Sequence, residues 1–214
     1  MANVKTNTAK RSQRGETTPA LFPMFVKLEG RKCLVVGAGR IAESKIPGLL
    51  EAGAEIHVVA PEANATVAEW SRSGRITWER RTFHNADLDR IFLVIAATSI
   101  RDLNATIFRE AQQRNILCNA VDDPANCDFY YPAVVRRGAL QLAISTAGLS
   151  PALAQRIRRE LEEQFGADYA GWLEQLGEAR EELFSQDIDP EKRRQILHQL
   201  AGREFFAAAK GGPQ

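Results

Sequence analysis

The chain has 214 residues, enough for one well-packed core and a smaller appended unit but too few for several catalytic modules. Its 28 Lys and Arg residues nearly balance 27 Asp and Glu residues, which excludes the extended positive field that nonspecific nucleic-acid binding requires. The longest apolar run, residues 91–97, is far shorter than the roughly 20 residues needed to cross a bilayer. We therefore expect a globular protein with neither a nucleic-acid partner nor a membrane span.

The chain termini and the cysteines bear on localisation. Residues 1–20 are basic and lack the apolar segment of a secretory signal, so we predict a disordered tail, with a targeting or docking segment as the alternative. Cys33, Cys118 and Cys127 form neither an even disulfide set nor a zinc-like pair of pairs. Free thiols in the cytoplasm are the expectation, and no metal site is predicted because the three histidines are scattered.

The first half of the chain alternates strands and helices at the spacing of βαβ units. The pattern predicts strands at residues 31–36, 55–59, 76–80, 91–97 and 116–121, and helices from the turn at 37–39 to 52, at 63–73 and at 102–114. Crossovers of this kind make the strands parallel and place helices on both faces of the sheet. We expect an α/β fold, a Rossmann-type doubly wound parallel sheet, over residues 21–131.

The pattern changes after residue 131. Two β-prone runs, residues 133–136 and 139–145, are separated by Arg137 and Gly138, which predicts a β-hairpin. Ser150 and Pro151 then supply an N-cap and a first-turn proline for a helix to about residue 165. Residues 169–184 have helical apolar spacing, and an Asp-Pro pair at 189–190 opens the last helix. This appendage is too small to fold alone, so we expect it to pack on a second subunit or on the first domain.

The turn after the first strand carries the strongest chemical signal. Residues 37–42 fit the pattern G-x-G-x-x-[GA] between a strand and a helix. Gly37 would make the tight turn, Gly39 would let the backbone approach a diphosphate, and Ala42 would allow close packing of the helix on the sheet. Free N–H groups at the helix start would bind the diphosphate. Purely steric glycines are the alternative, but the βαβ context favours dinucleotide binding.

The second strand ends without the acid that usually contacts the ribose of NAD. Glu62 is close enough to replace it, and no arginine follows immediately to bind a 2′-phosphate, so NAD is favoured over NADP. Pro47 lies in the middle of the first predicted helix, where a proline removes a hydrogen bond and should kink the helix.

Polar groups at the other strand ends are the next candidates, because ligands of doubly wound sheets bind outside the carboxyl ends of the strands. Thr98 would hydrogen-bond the ribose or amide of the cofactor, or serve instead as a helix N-cap. Asn119 and Asp122 close the next strand. Asp122 is the candidate catalytic residue, since a carboxylate near the nicotinamide could take the proton that a substrate releases when it loses hydride.

Basic residues cluster beyond this point. Arg136 and Arg137 lie at the predicted hairpin, and three more arginines, at 156, 158 and 159, lie on the helix that follows. Each alone is typical of a solvated surface. Together they could bind a polyanionic substrate, because guanidinium groups bind carboxylates in a bidentate manner.

From residue 21 to about 165 the chain resembles the family of precorrin-2 dehydrogenases, which includes the N-terminal part of siroheme synthase and members that also act as sirohydrochlorin ferrochelatase. The matching segments are residues 22–25, 35–42, 58–62, 96–98, 118–124, 127–129, 132–138 and 143–151. The sequence departs from the family at Leu149, where a lysine is common in the motif that begins with Ser145 and Thr146.

The resemblance implies oxidation of precorrin-2 to sirohydrochlorin with NAD as hydride acceptor. It implies dinucleotide contacts at Arg40, Ile41, Pro61 and Glu62, and it implies Asp122 as the catalytic group. Substrate contacts are expected at the four residues Arg136, Arg137, Ser145 and Thr146. Precorrin-2 carries eight carboxylates, which suits local arginines in a chain of nearly neutral charge.

The resemblance also implies a homodimer formed through residues 132–165, which would be a dimerisation segment before a C-terminal helical domain at 166–214. Some members of the family also insert iron into sirohydrochlorin, and the sequence does not decide this point. Two alternatives stay open: a non-catalytic NAD(H)-sensing module that acts through a protein partner, and a Rossmann oxidoreductase for another small anionic substrate.

Overall fold

The computed structural model describes residues 20–202 and 204–206, so residues 1–19 of the predicted tail lie outside the described part. A parallel five-stranded sheet has the strand order β3-β2-β1-β4-β5. Its strands are β1 (Lys32–Val36), β2 (Glu55–Val59), β3 (Thr77–Glu79), β4 (Leu93–Ala96) and β5 (Leu117–Ala120). The crossover helices are α1 (Arg40–Glu51), α2 (Ala65–Arg72) and α3 (Arg101–Gln113). The predicted Rossmann-type doubly wound sheet is confirmed.

The core has one layer on each face of this sheet. Side chains such as Cys33 and Val35 of β1 pack with Ile46 of α1 on one face, while Leu34 of β1 packs with Ile107 of α3 on the other. Strands that are buried on both faces carry continuous apolar runs rather than alternation. This explains why the strands were visible in the sequence as short hydrophobic segments. No helix in the described residues is long and apolar enough to span a membrane.

The remainder of the described chain is a hairpin followed by three helices. The antiparallel strands are β6 (Ala133–Arg137) and β7 (Leu140–Ile144), and the helices are α4 (Pro151–Gln164), α5 (Tyr169–Ser185) and α6 (Pro190–Leu200). The predicted turn was displaced by one residue, because Arg137 pairs with Leu140 and belongs to β6. The Ser150 hydroxyl accepts a hydrogen bond from the Leu153 amide at 3.3 Å, so the predicted N-cap of α4 is confirmed.

An irregular segment covers the outer edge of the sheet beyond β5. The Asp128 amide donates to the Cys118 carbonyl at 2.8 Å, and the Asp128 carboxylate accepts from the Cys118 amide at 2.9 Å. Asn119 forms an isolated antiparallel bridge with Cys127. An edge strand with unpaired amides is a site of unwanted association, so these bonds protect β5. They also fix residues 127–131 next to α1, where Phe129 packs on the core.

All three cysteines are free, as the sequence predicted. Burial raises the pKa of Cys33 to about 11 and the pKa of Cys118 to about 12. Since the thiolate is the reactive form, neither thiol is reactive at neutral pH, and both act as small apolar core residues.

The loop after β3 is fixed by an ion pair. Asp87 accepts hydrogen bonds from Nη1 and Nη2 of Arg81 at 2.8 and 2.6 Å and from the His84 amide at 2.8 Å. Burial favours the neutral acid, but the bonds to Arg81 and His84 outweigh it and lower the pKa of Asp87. Because Thr82 and Phe83 lie between these partners, the ion pair positions both residues.

Substitution Asp87→Asn is expected to lower the free energy of unfolding by about 1–3 kcal/mol at pH 7, because it removes a charge-assisted bond from a mostly buried acceptor. The folded-state pKa of Asp87 is lowered, so the stabilisation is complete above the ordinary aspartate value, about 3.9, and is lost as the pH falls through the native value. Urea titrations at pH 7 and pH 3 measure this difference, with the exposed Asp89→Asn as the control. An equal loss at both pH values would contradict the assignment.

Candidate active site

A cleft of about 580 Å³ opens at the carboxyl edge of the parallel sheet, next to the start of α1. It lies where the strand order reverses, with β2 on one side of β1 and β4 on the other, which is the usual ligand position in such folds. Seven of the eight predicted cofactor residues line it: Gly37, Gly39, Arg40, Ile41, Pro61, Glu62 and Thr98. The structure thus brings the phosphate-binding turn together with the ends of β2 and β4.

Gly37 has a backbone conformation that only glycine adopts readily at this position. Its φ is +103°, and a Cβ atom would lie 2.5 Å from the carbonyl oxygen of Ala97. Its amide donates to the Val59 carbonyl at 2.9 Å. The turn therefore lies tightly against the ends of β2 and β4, and any side chain at residue 37 would force them apart.

Gly39 has a different role. It is the N-cap residue of α1 and has no side chain to cap the helix, and a Cβ built there would contact nothing within 4 Å. The first-turn N–H groups therefore have no side-chain cap, and the helix dipole favours an anion there. Ala42 is fully buried, so α1 packs closely on the sheet below this point. The turn fits the diphosphate of a dinucleotide.

Asn64 connects the starts of α1 and α2. Its side-chain oxygen caps α2 by accepting from the Val67 amide at 2.9 Å, while its side-chain nitrogen donates to the Glu43 carboxylate at 2.7 Å. Its backbone amide also donates to the Ala38 carbonyl at 3.0 Å. One residue thus holds α2 against the phosphate-binding turn.

The sequence prediction missed cleft residues in the loop after β3, and it also missed Ile100 and Leu103 near the start of α3. Thr82 and Phe83 line the cleft from the loop after β3, where Phe83 is partly buried against the core. Their position follows from the Arg81–Asp87 ion pair, which the sequence pattern did not reveal. The order of the strands was the available signal, because residues after the carboxyl end of β3 must lie at the same edge as Pro61 and Glu62.

Thr98 lines the cleft, but its hydroxyl already has protein partners. It donates to the Asn104 side-chain oxygen at 2.7 Å and accepts from the Ile100 amide at 3.1 Å. The N-cap position of α3 is Ile100, so the alternative of Thr98 as N-cap residue was wrong, although its hydroxyl does bind the amide of that residue. A cofactor contact by Thr98 stays a prediction.

Asn119 and Asp122, at the end of β5, lie in different environments. Asn119 is buried, and its side-chain amide donates to the Phe129 carbonyl at 2.7 Å, so it fastens the edge segment and is not part of the cleft lining. Asp122 is exposed at the same carboxyl edge, in a turn with φ of +59°. Aspartate tolerates this left-handed region better than most residues. The turn therefore leaves the Asp122 carboxylate exposed at this edge of the sheet, outside the residues that line the cleft.

The predicted substrate residues are largely engaged within the protein. The Arg137 guanidinium donates to the carbonyls of Phe165, Glu162 and Arg136 at 2.8, 3.1 and 2.8 Å, which fixes the end of α4 to the hairpin. Arg136 lies 3.7 Å from the Glu51 carboxylate. The structure thus gives Arg137 a structural role, and Arg136 is the more accessible of the two.

The hydroxyls of Ser145 and Thr146 shape the loop before α4. The Ser145 hydroxyl accepts from the Ala147 amide at 3.1 Å, and the Thr146 hydroxyl accepts from the Ser150 amide at 3.2 Å. A substrate contact by either residue stays a prediction.

Comparison with known proteins agrees with this geometry. Residues 24–133 match the family described as "Putative NAD(P)-binding". The chain belongs to this NAD(P)-binding family. Residues 137–164 match "Sirohaem biosynthesis protein central". The predicted resemblance to precorrin-2 dehydrogenases and the N-terminal part of siroheme synthases is confirmed, and so is the predicted use of a nicotinamide dinucleotide.

Relatives include the siroheme synthase of Photorhabdus laumondii, 38% identical over 191 residues, which are 89% of this chain and 41% of that protein. The siroheme synthase of Methylobacillus flagellatus is 42% identical over 167 residues, which are 77% and 36% of the two chains. The chain thus spans about two fifths of the length of these curated relatives. Among solved structures, SirC, a precorrin-2 dehydrogenase, has a TM-score of 0.76 at 29% identity and covers 87% of this chain and 92% of its own.

Substitutions of Gly37 and Gly39 should differ in their effects on stability and on NAD binding. We expect Gly37→Ala to destabilise the protein by several kcal/mol and to abolish NAD binding, because the new Cβ would overlap the Ala97 backbone. We expect Gly39→Ala to fold normally but to bind NAD at least tenfold more weakly, because its Cβ would face the diphosphate. Thermal unfolding and calorimetric titration with NAD measure both effects, and unchanged NAD affinity in Gly39→Ala would contradict this placement.

Proposed function

We propose that this protein is an NAD-dependent precorrin-2 dehydrogenase that forms sirohydrochlorin. The observation that carries the proposal is the likeness to the precorrin-2 dehydrogenase SirC over most of both chains. The siroheme synthase relatives support the same substrate. The chain itself contributes a dinucleotide cleft and, at the same sheet edge, an exposed carboxylate at Asp122.

The reaction removes a hydride and a proton from the macrocycle. Bound NAD would supply the hydride acceptor. The turn before α1 at Gly37 and Gly39 would hold its diphosphate, and Glu62, beyond the end of β2, would accept hydrogen bonds from its adenosine ribose. The Asp122 carboxylate accepts the proton, because it lies at the same edge of the sheet as the cleft and is open to solvent, to which the proton then passes.

Asp122→Asn should abolish sirohydrochlorin formation while leaving NAD affinity within about twofold of wild type. Asparagine is the informative replacement because it keeps the size of the side chain and tolerates the positive φ. The assay is anaerobic incubation with precorrin-2 and NAD, followed by the absorbance of sirohydrochlorin. Asp89→Asn, at the opposite edge of the sheet, is the matched control and should retain full activity.

The same assay distinguishes the alternatives. A sensor module would bind NAD and NADH without turning over precorrin-2. A different oxidoreductase would reduce NAD only with another anionic substrate. If Asp122→Asn turned over precorrin-2 as fast as wild type, the assignment as a dehydrogenase would stand, but Asp122 would have no role in the mechanism. Iron insertion stays a prediction from the family resemblance, to be tested by adding cobalt or iron to sirohydrochlorin with the purified protein.

We also propose a homodimer in the cytoplasm, formed through the hairpin and α4. Few residues of this region are buried, among them Val135 and Ala154, and two leucines are exposed, Leu149 before α4 by 77% and Leu153 in its first turn by 39%. Exposed apolar residues next to a two-stranded sheet suit a second copy of the same surface. Sedimentation equilibrium should give twice the chain mass of 23.7 kDa. A mass of one chain at micromolar concentration would contradict the dimer.

A further inference from the structure

Lys45 lies beside the cofactor cleft and has no role in the mechanism described above. It follows Ile41 by four residues on α1, so the two side chains share one face of the helix. Ile41 lines the dinucleotide cleft. Lys45 therefore points along the same wall, on the side of α1 that faces the segment after β5.

The ammonium of Lys45 is held by an aromatic ring rather than by an acid. Its Nζ lies 4.0 Å from the centroid of the Tyr131 ring. The side chain is partly buried, and burial lowers the pKa of Lys45, an effect that the charge of Asp122 partly offsets. No ion pair within 4.0 Å joins Lys45 to a carboxylate in the part of the chain that the structure describes.

The ring that supports Lys45 is itself fixed. Tyr131 contacts Phe129 edge to face, with 5.7 Å between the centroids, and Phe129 is anchored through its carbonyl to the Asn119 amide. A cation–π contact stabilises the ammonium but accepts none of its N–H donors as a carboxylate would. The arrangement is thus a preorganised cation whose hydrogen bonds are available to an anion.

Several arginines of this region already have carbonyl or carboxylate partners within the protein, so Lys45 is the better candidate to bind an anion. The donors of Arg137 serve the end of α4, and Arg136 lies near Glu51. Arg156 and Arg158 pair with Glu160 and Glu162 on their own helix. Arg40 also lines the cleft, but the family resemblance assigns it to the dinucleotide. For a substrate with several carboxylates, Lys45 is then the cation on the helix face of Ile41, within the electrostatic influence of Asp122.

We propose that Lys45, supported by the Tyr131 ring, binds one carboxylate arm of the tetrapyrrole substrate and so sets the position of the macrocycle between the cofactor cleft and Asp122. The inference rests on the proposed function. The role is binding: the carboxylate approaches the free side of the ammonium and forms a charge-assisted hydrogen bond. Lys45 takes no part in the proton transfer.

The test compares Lys45→Met with Lys32→Met. Both remove one positive charge, but Lys32 is exposed at the start of β1, at the opposite edge of the sheet. We expect Lys45→Met to raise KM for precorrin-2 about tenfold with kcat within about twofold, and Lys45→Arg to recover most of the loss. Lys32→Met should match wild type. Calorimetric NAD affinity and thermal unfolding verify that cleft and fold are intact.

Direct titration with sirohydrochlorin, followed by absorbance, separates this inference from the proposed function. Its Kd should also rise about tenfold in Lys45→Met and remain unchanged in Tyr131→Phe, which keeps the ring. If wild type binds sirohydrochlorin but does not oxidise precorrin-2, the proposed function fails, while the Kd of Lys45→Met still decides the role of Lys45. Equal Kd and KM in Lys45→Met and Lys32→Met overturn the inference. A fall in kcat at unchanged KM also overturns it, because that result assigns Lys45 to the chemical step.

Discussion

The close approach of the Gly37 turn to the backbone at Ala97 is the constraint on which the cleft depends. Strand β1 lies at the centre of the sheet, and the chain must leave it within a few residues to begin α1. Only a residue without Cβ permits this turn against the end of β4, where the built Cβ would lie 2.5 Å from a carbonyl oxygen. The uncapped start of α1 is thereby brought over the point where the strand order reverses.

The cleft and the segment beside it are built differently. One wall of the cleft is the start of a regular helix packed through Ala42 onto the sheet. The segment at residues 127–131 lies outside the cleft lining, is irregular, and is held by hydrogen bonds to the edge of β5. The regular helix start fits a ligand of constant shape, a diphosphate. The irregular segment carries side chains that can differ between related proteins without disturbing the sheet, which suits the recognition of a particular substrate.

The sequence predicted local structure well because local structure depends on near neighbours. Short apolar segments marked the parallel strands other than the mostly exposed β3, the glycine pattern marked the phosphate turn, and Ser150 marked the start of α4. What it missed depends on contacts between distant segments. From the sequence, Arg137 is a candidate ligand-binding residue, but in the structure its donors bind carbonyls at the end of α4. Lys45 is an ordinary helix lysine in the sequence, but in the structure its ammonium contacts the Tyr131 ring.

Asn64 gives the cleft a mechanical property. Because the same amide side chain caps α2 and bonds to Glu43 in the first turn of α1, the two helix starts form one hydrogen-bonded unit. A ligand that orders the first turn of α1 thus also restrains α2, which contributes no residue to the cleft lining. Binding of the dinucleotide should then slow deuterium uptake also at amides of α2, which do not contact the ligand. The half of the domain that binds the adenosine would become more rigid as a whole.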